Sequence, residues 1–229
     1  DYVIDSFNAD KPYDRFIQEQ IAGDLLPAKT DEQWQEGLIA TGFLAIGTKG
    51  LNENSARQFR ADVIDEQIDA TTQSILGLTV ACARCHDHKT DPIPTADYYS
   101  LAGIFASTET FFGTPNAIQN RHATDLIILP VPDEDPDRMD LTEYAALKNR
   151  LEDMRKQQGD LRIEAFRERS SGVQTGRQSA QQQLLRLRQV IGVLENQVNA
   201  RYEEGVAKTF AMGVQDSERI VNMAVWVRG

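Results

Sequence analysis

The chain has 229 residues, of which 41% are hydrophobic and 26% charged, and its formal net charge is -11. That length holds one large domain or a domain with an appendage, the composition is that of a soluble globular protein, and no apolar run approaches a membrane span. The acidic excess argues against nucleic acid and anionic membrane surfaces as partners, because their phosphates would be repelled, and it suits a basic protein partner.

The sequence starts at Asp1 without an initiator methionine, and Val225 to Gly229 read as a strand cut off in mid-course. It therefore reads as a piece of something larger, so the lack of a signal peptide says nothing about localisation. Asp10-Lys11-Pro12 opens a helix with proline at its first position, and Tyr13, Phe16, Ile17, Ile21 and Leu25 give it an apolar stripe up to Pro27. Thr30 and Gln33 form a capping box for a second helix, which carries Trp34, Leu38, Phe43 and Leu44 to the breaker Gly47.

Ser55 and Gln58 cap a third helix that runs to about Leu76, with Ile64, Ile68, Thr71, Thr72 and Ile75 on one face. The carboxylates of Asp62, Asp65, Glu66 and Asp69 fall on the opposite side, which reads as a solvated face. Gly77-Leu78-Thr79-Val80 breaks the helix and supplies an apolar stretch. It leads into Cys82-Ala83-Arg84-Cys85-His86, which holds both cysteines of the chain.

A Cys-x-x-Cys-His run is the attachment signature of c-type haem. Two thiols one helical turn apart match the two vinyl groups of the porphyrin, and the next residue, a histidine, is carried beneath the iron as an axial ligand. Three other readings stand beside it. The cysteines could form a thioredoxin-like redox pair, although no βαβ setting precedes them. They could be half of a zinc site with His86 or His88, although a second Cys/His pair is lacking, or they could be inert buried thiols. Beyond the motif, Pro92 and Pro94 force an extended turn, and Thr95 caps a helix with Tyr98, Leu101, Ala102 and Phe105 inward.

The stretch Leu76 to Lys89, continued by Asp91-Pro92-Ile93-Pro94 and Asp97-Tyr98-Tyr99, resembles the planctomycete cytochrome c-like family of unknown function. The helix Asp62 to Asp69, the opening Asp10 to Asp14 and the run Gly23-Asp24-Leu25-Leu26-Pro27 extend the resemblance over roughly residues 1 to 112. It implies haem attachment at Cys82 and Cys85 and an axial role for His86. It also implies a segment lying inside a large exported protein, between another cytochrome-like domain and a further domain. No established reaction comes with it.

Residues 113–139 read as a connector with dispersed glycines and prolines, in which Leu126 to Val131 makes one short strand. His122 and Met139 lie there and are the candidates for a sixth iron ligand, whereas His88 reads as a hydrogen-bonding residue of its turn. From residue 140, Tyr144, Leu147, Leu151, Met154, Leu161 and Ala165, and then Leu184, Leu187, Ile191, Leu194 and Val198, keep a three-and-four spacing. This predicts an antiparallel coiled-coil hairpin over 140–205, turning at Arg169 to Gly176, with Met154 in its seam. Thr209 to Val214 and Ile220 to Val227 read as two strands in a segment, 206–229, that begins a following domain.

The expected fold is thus mainly α: a helical c-type cytochrome-like domain over 1–112, the connector, the hairpin as a docking arm, and a short β segment. The leading function is a haem c electron-transfer module of a larger exported protein. Its partners are a redox protein or neighbouring domains of the same chain, and its site is periplasmic or otherwise exported because haem is attached on that side of the membrane. A haem enzyme with an open iron position is the second reading, and a haem-free structural or metal-binding interaction module the third. No membrane insertion is expected.

Overall fold

The computed structural model describes residues 1–113, 121–130, 137–171 and 180–225. The chain forms two compact units, Asp1–Leu129 with Phe210–Gly229, and Pro130–Thr209. The fold is mainly helical, and no helix among the described residues is long and apolar enough to cross a membrane.

The first unit opens with α1 (Tyr2–Asn8), a short helix that the periodicity does not reveal, followed by α2 (Tyr13–Ala22). Pro12 stands at the N-cap of α2, one residue earlier than expected, where its missing N–H leaves no donor unsatisfied. In α3 (Asp31–Ala40) the Thr30 hydroxyl accepts the Gln33 N–H as the capping pattern requires. The Gln33 side chain, however, accepts from the Lys29 N–H instead of returning to Thr30.

α2 and α3 meet backbone to backbone. A Cβ on Gly37 would stand 2.5 Å from the Gly23 carbonyl oxygen, and one on Gly23 would stand 2.1 Å from the Gly37 oxygen. Only residues without a side chain permit this approach. Gly37→Ala must push the two segments apart and is expected to cost about 3 kcal/mol, read as a lower urea midpoint with an unchanged slope.

A carboxylate cluster locks the same corner. Glu19 is buried, and its Oε2 accepts from Lys11 Nζ at 2.5 Å and from the Tyr2 hydroxyl at 2.8 Å, while Arg15 Nε donates to Oε1 at 2.7 Å. Burial alone would raise the Glu19 pKa, but the bonds from Lys11, Tyr2 and Arg15 outweigh it and hold the carboxyl below its ordinary value. A depressed carboxylate contributes stability that is present above its unfolded pKa and is lost as pH falls through its folded one. Tyr2 is pushed up to about 12, first by burial and then by Glu19, so its contribution is present below the ordinary phenol value and is lost as pH rises through about 12. Urea melts across pH should show stability falling on the acid side of the ordinary glutamate range, and Glu19→Gln should flatten that limb.

α4 (Ala56–Thr71) is capped by Ser55, whose hydroxyl accepts the Gln58 N–H, and it runs on as a π-helical turn over Thr72–Leu76. Gly77 ends it in the left-handed conformation, φ 66°, that a C-terminal glycine supplies without strain. α5 (Thr95–Ala106) packs across α4. Ile64 and Ile68 of α4 with Tyr98, Tyr99, Ala102 and Phe105 of α5 make the main core, joined by Leu44, Val80 and Ala83.

Two small sheets close this unit. β1 (Thr108–Phe111) pairs antiparallel with β4 (Gly213–Asp216), Thr108 opposite Asp216, and β2 (Ile127–Ile128) pairs antiparallel with β3 (Phe210–Ala211). The strand expected over Thr209 to Val214 is therefore split at Met212, and its second part runs on to Asp216. Residues 220–225 form no strand, and 226–229 lie outside the described residues.

The C-terminal strands, expected to begin a following domain, are built into the first unit. Thr41, in the 3-10 turn Thr41–Leu44 after α3, is fully buried. Its hydroxyl accepts the Val214 N–H at 3.0 Å and donates to the Leu38 carbonyl at 2.7 Å. Gly213 allows the approach, since a Cβ there would lie 2.6 Å from that hydroxyl.

The second unit pairs α6 (Leu141–Ser171) with α7 (Ala180–Asn199). They run antiparallel, as shown by the ion pairs of Lys148 with Glu203 and of Arg155 with Glu195 at 2.8 Å. Leu151, Leu187, Ile191 and Leu194 fill the seam with Leu147, Met154, Leu161 and Val198 around them, so Met154 is a packing residue. Of the expected turn, residues 172–176 lie outside the described residues.

Candidate functional site

The Cys-x-x-Cys-His motif folds as a 3-10 turn over Val80–Arg84, with Cys85 continuing it. Positions three apart eclipse one another in such a turn, so Cys82 and Cys85 share one side. Both thiols are free and exposed, and so is His86.

The residues between the cysteines face the other way. Ala83 has no exposed surface and sits with Val80 in the main core. The Arg84 guanidinium reaches back to α4, with Nη1 3.0 Å from Asp65 Oδ2 and Nη2 3.2 Å from Asp62 Oδ1. Asp65 Oδ1 also accepts from the Tyr98 hydroxyl at 2.6 Å, and the Tyr99 hydroxyl donates to the Arg84 carbonyl at 3.2 Å. The two tyrosine rings pack edge to face with centroids 5.1 Å apart. The turn is thus pinned from inside by one alanine, one ion-pair group and two phenols, which leaves its reactive side outward.

The electrostatics agree with that geometry. Burial first, then the bond to Asp65 and its charge, hold the Tyr98 hydroxyl well above the ordinary phenol value, so it stays a donor. Burial alone would lower the Arg84 pKa, but Asp65 first, with Tyr98 and Asp62, more than reverses this. The α4 carboxylates are therefore not a merely solvated face. Asp65 holds the motif with the more exposed Asp62 beside it, Glu66 pairs with Lys49 at 2.8 Å, and Asp69 accepts from Gln73.

His86 Nδ1 lies 2.8 Å from the Asp87 carbonyl oxygen. That acceptor places the proton on Nδ1 and leaves the Nε2 lone pair available, which is the tautomer of a metal-ligating histidine. The Asp87 side chain accepts the Thr95 N–H at 2.8 Å. Thr95 is the first residue of α5 and not its cap, and Asp87 supplies the acceptor from across the turn. His88 keeps the structural role expected of it, with Nδ1 accepting the Asp91 N–H at 2.9 Å and Nε2 3.0 Å from the Thr79 hydroxyl.

The candidates for a sixth ligand each have local contacts of their own. His122 stacks on Phe59 with ring centroids 3.8 Å apart, and its Nε2 donates to the Glu53 carbonyl at 2.8 Å. It is anchored against Phe59 in the first turn of α4 and the Glu53 carbonyl just before that helix. Met139 belongs to the other unit, where its N–H donates to the Gly205 carbonyl.

The donor set fits a covalently attached haem: two exposed thiols on one side of a turn, followed by an imidazole with a free Nε2. The apolar wall expected from Gly77 to Val80 is smaller than the sequence implies, because Val80 turns into the core and Leu78 is half-buried against it. Leu76 remains exposed beside the motif. Among the described residues no three His, Cys, Asp or Glu side chains converge as a metal-binding group.

Sequence reasoning missed Arg84, Tyr98, Tyr99 and Asp87 as the frame of this site. A readable signal was present, since an arginine inside the motif follows a helix rich in carboxylates. Residues 1–110 match the family described as PSCyt2, protein of unknown function (DUF1549). No curated protein and no solved structure matches the chain.

Proposed function

We propose that the first unit is a c-type haem module that carries electrons within a larger exported protein. The presentation of Cys82, Cys85 and a His86 whose Nδ1 faces the Asp87 carbonyl, on one anchored, outward-facing turn, is the observation that carries this reading. Each thiol would add its S–H across one vinyl C=C, forming a C–S and a C–H bond with no change of oxidant or reductant. His86 Nε2 would ligate the iron, and Asp87 would hold the imidazole by its carbonyl. When bound, the group supplies one-electron redox chemistry.

Electron carriage is favoured over turnover because the polar groups around the motif are already engaged. Asp62 and Asp65 are tied to Arg84 and Tyr98, and His88 is tied to its own turn, so none is poised as a general acid or base. The resemblance to cytochrome c-like proteins, the exported location and the use of α6 and α7 as a coiled-coil docking arm belong to the same proposal. The net charge of -11 suits a basic redox partner.

The experiment is expression with export through a haem-maturation pathway, followed by mass measurement after denaturation and by visible spectra. A haem adduct that survives denaturation is expected, with a low-spin spectrum in the folded parent protein. The bare polypeptide mass would overturn the reading, and rapid stoichiometric binding of carbon monoxide by the reduced form would replace carriage with an open-iron enzyme.

A further inference from the structure

A cleft of about 640 Å³ opens in the first unit between α4, α5, β1 and the segment after β4, and neither cysteine nor His86 lines it. Its volume lies in the range of small-molecule sites, about 300–1,000 Å³. The floor is apolar, built from Phe59, Val63 and Ile64 of α4, Phe105 of α5, and Phe112. Thr110 and Thr124 add hydroxyls, but both are already used. The Gln67 amide donates to the first at 3.0 Å, and the Phe112 N–H donates to the second at 2.9 Å.

The mouth carries four charges: Arg60 and Arg219 against Glu109 and Asp125, all exposed. Arg60 spends one N–H on the Ala106 carbonyl. The side chains of Arg219, Glu109 and Asp125 have no hydrogen-bond or ion-pair partner among the described residues. The rim therefore sums to no net charge. A strongly anionic or cationic ligand would meet as much repulsion as attraction there, whereas a molecule carrying both signs finds a partner for each.

We propose that this cleft is a second binding site, separate from the motif, for a small amphipathic zwitterion. The fitting class is a free amino acid or short peptide with aromatic or branched apolar side chains, its body on the phenylalanine floor and its ammonium and carboxylate at the rim. The site stands without the haem reading, because it uses none of the attachment residues.

The test titrates leucyl-phenylalanine into the isotope-labelled full chain and follows amide chemical shifts. Saturable changes are expected at Phe59, Val63, Thr110 and Val221, with the Cys82 to His86 amides unmoved. Arg219→Gln should weaken binding about tenfold, the loss of one charge-assisted hydrogen bond. Glu109→Gln should weaken it similarly, and so should the N-acetylated or C-amidated dipeptide, each lacking one charge. Both substitutions are at exposed positions, so unchanged spectra of the free variants establish that folding is intact. Val221→Trp, which fills the cleft from one wall, should abolish the shifts. No saturable shift up to millimolar dipeptide, shifts located elsewhere, or binding indifferent to these variants would each overturn the proposal.

Discussion

On the haem proposal, replacing Cys82 and Cys85 together by alanine is expected to abolish covalent attachment, leaving a polypeptide whose denatured mass carries no adduct. No other cysteine exists in the chain to take over. Either single replacement would leave one thioether at most, since only one of the two cysteines of the chain then remains. His86→Ala separates attachment from ligation. The thiols are unaffected, so the proposed adduct should remain, whereas the proposed axial nitrogen is gone and a low-spin spectrum should be lost. All four variants should keep the melting profile of the haem-free chain, because these side chains are exposed. A collapse of that profile, or an adduct that persists in the double variant, would refute the assignment.

Arg84→Ala is the second large effect, and it acts on the frame. The Arg84 side chain is 16% exposed and Asp65 28%, so removing the guanidinium strands a half-buried carboxylate, whereas Asp62 at 54% exposure is solvated and contributes little. The expected cost is about 2 kcal/mol in a urea melt of the haem-free chain. Alkylation of Cys82 and Cys85 should change rate as the turn loosens, a readout that a purely global destabilisation would not move at low denaturant. Asp65→Asn should reproduce most of the loss, and Arg84→Ala combined with Asp65→Asn should cost less than the sum. Additive losses would mean that the ion pair does not hold the turn.

How far the site was legible follows from where its interactions lie along the chain. The Cys-x-x-Cys-His spacing, the caps at Thr30 and Ser55 and the seam of α6 and α7 are local patterns, written in residues a few positions apart, and each is found where its spacing puts it. Thr95 misled because the helix begins one residue early: Pro94 stands at the cap, and Thr95 is a helical residue whose own N–H is taken up by Asp87, eight residues away. The α4 carboxylates misled because a helical wheel shows which side a residue is on, not what another segment brings to that side.

Local chemistry by itself determined the motif, its reactive atoms, the main helices and the antiparallel pairing of the long ones, because those depend on periodicity and on neighbours within a turn. Tertiary structure alone decided the rest. The return of β3 and β4 to the first unit rests on the Thr41 hydroxyl bonding Val214, 173 residues away, and on the absence of a side chain at Gly213. The outward presentation of Cys82, Cys85 and His86 rests on Arg84 meeting Asp65 and on Ala83 entering a core assembled from α4 and α5. Such contacts are set by which surfaces exclude water together, and that is a property of the packed chain and not of any single stretch of it.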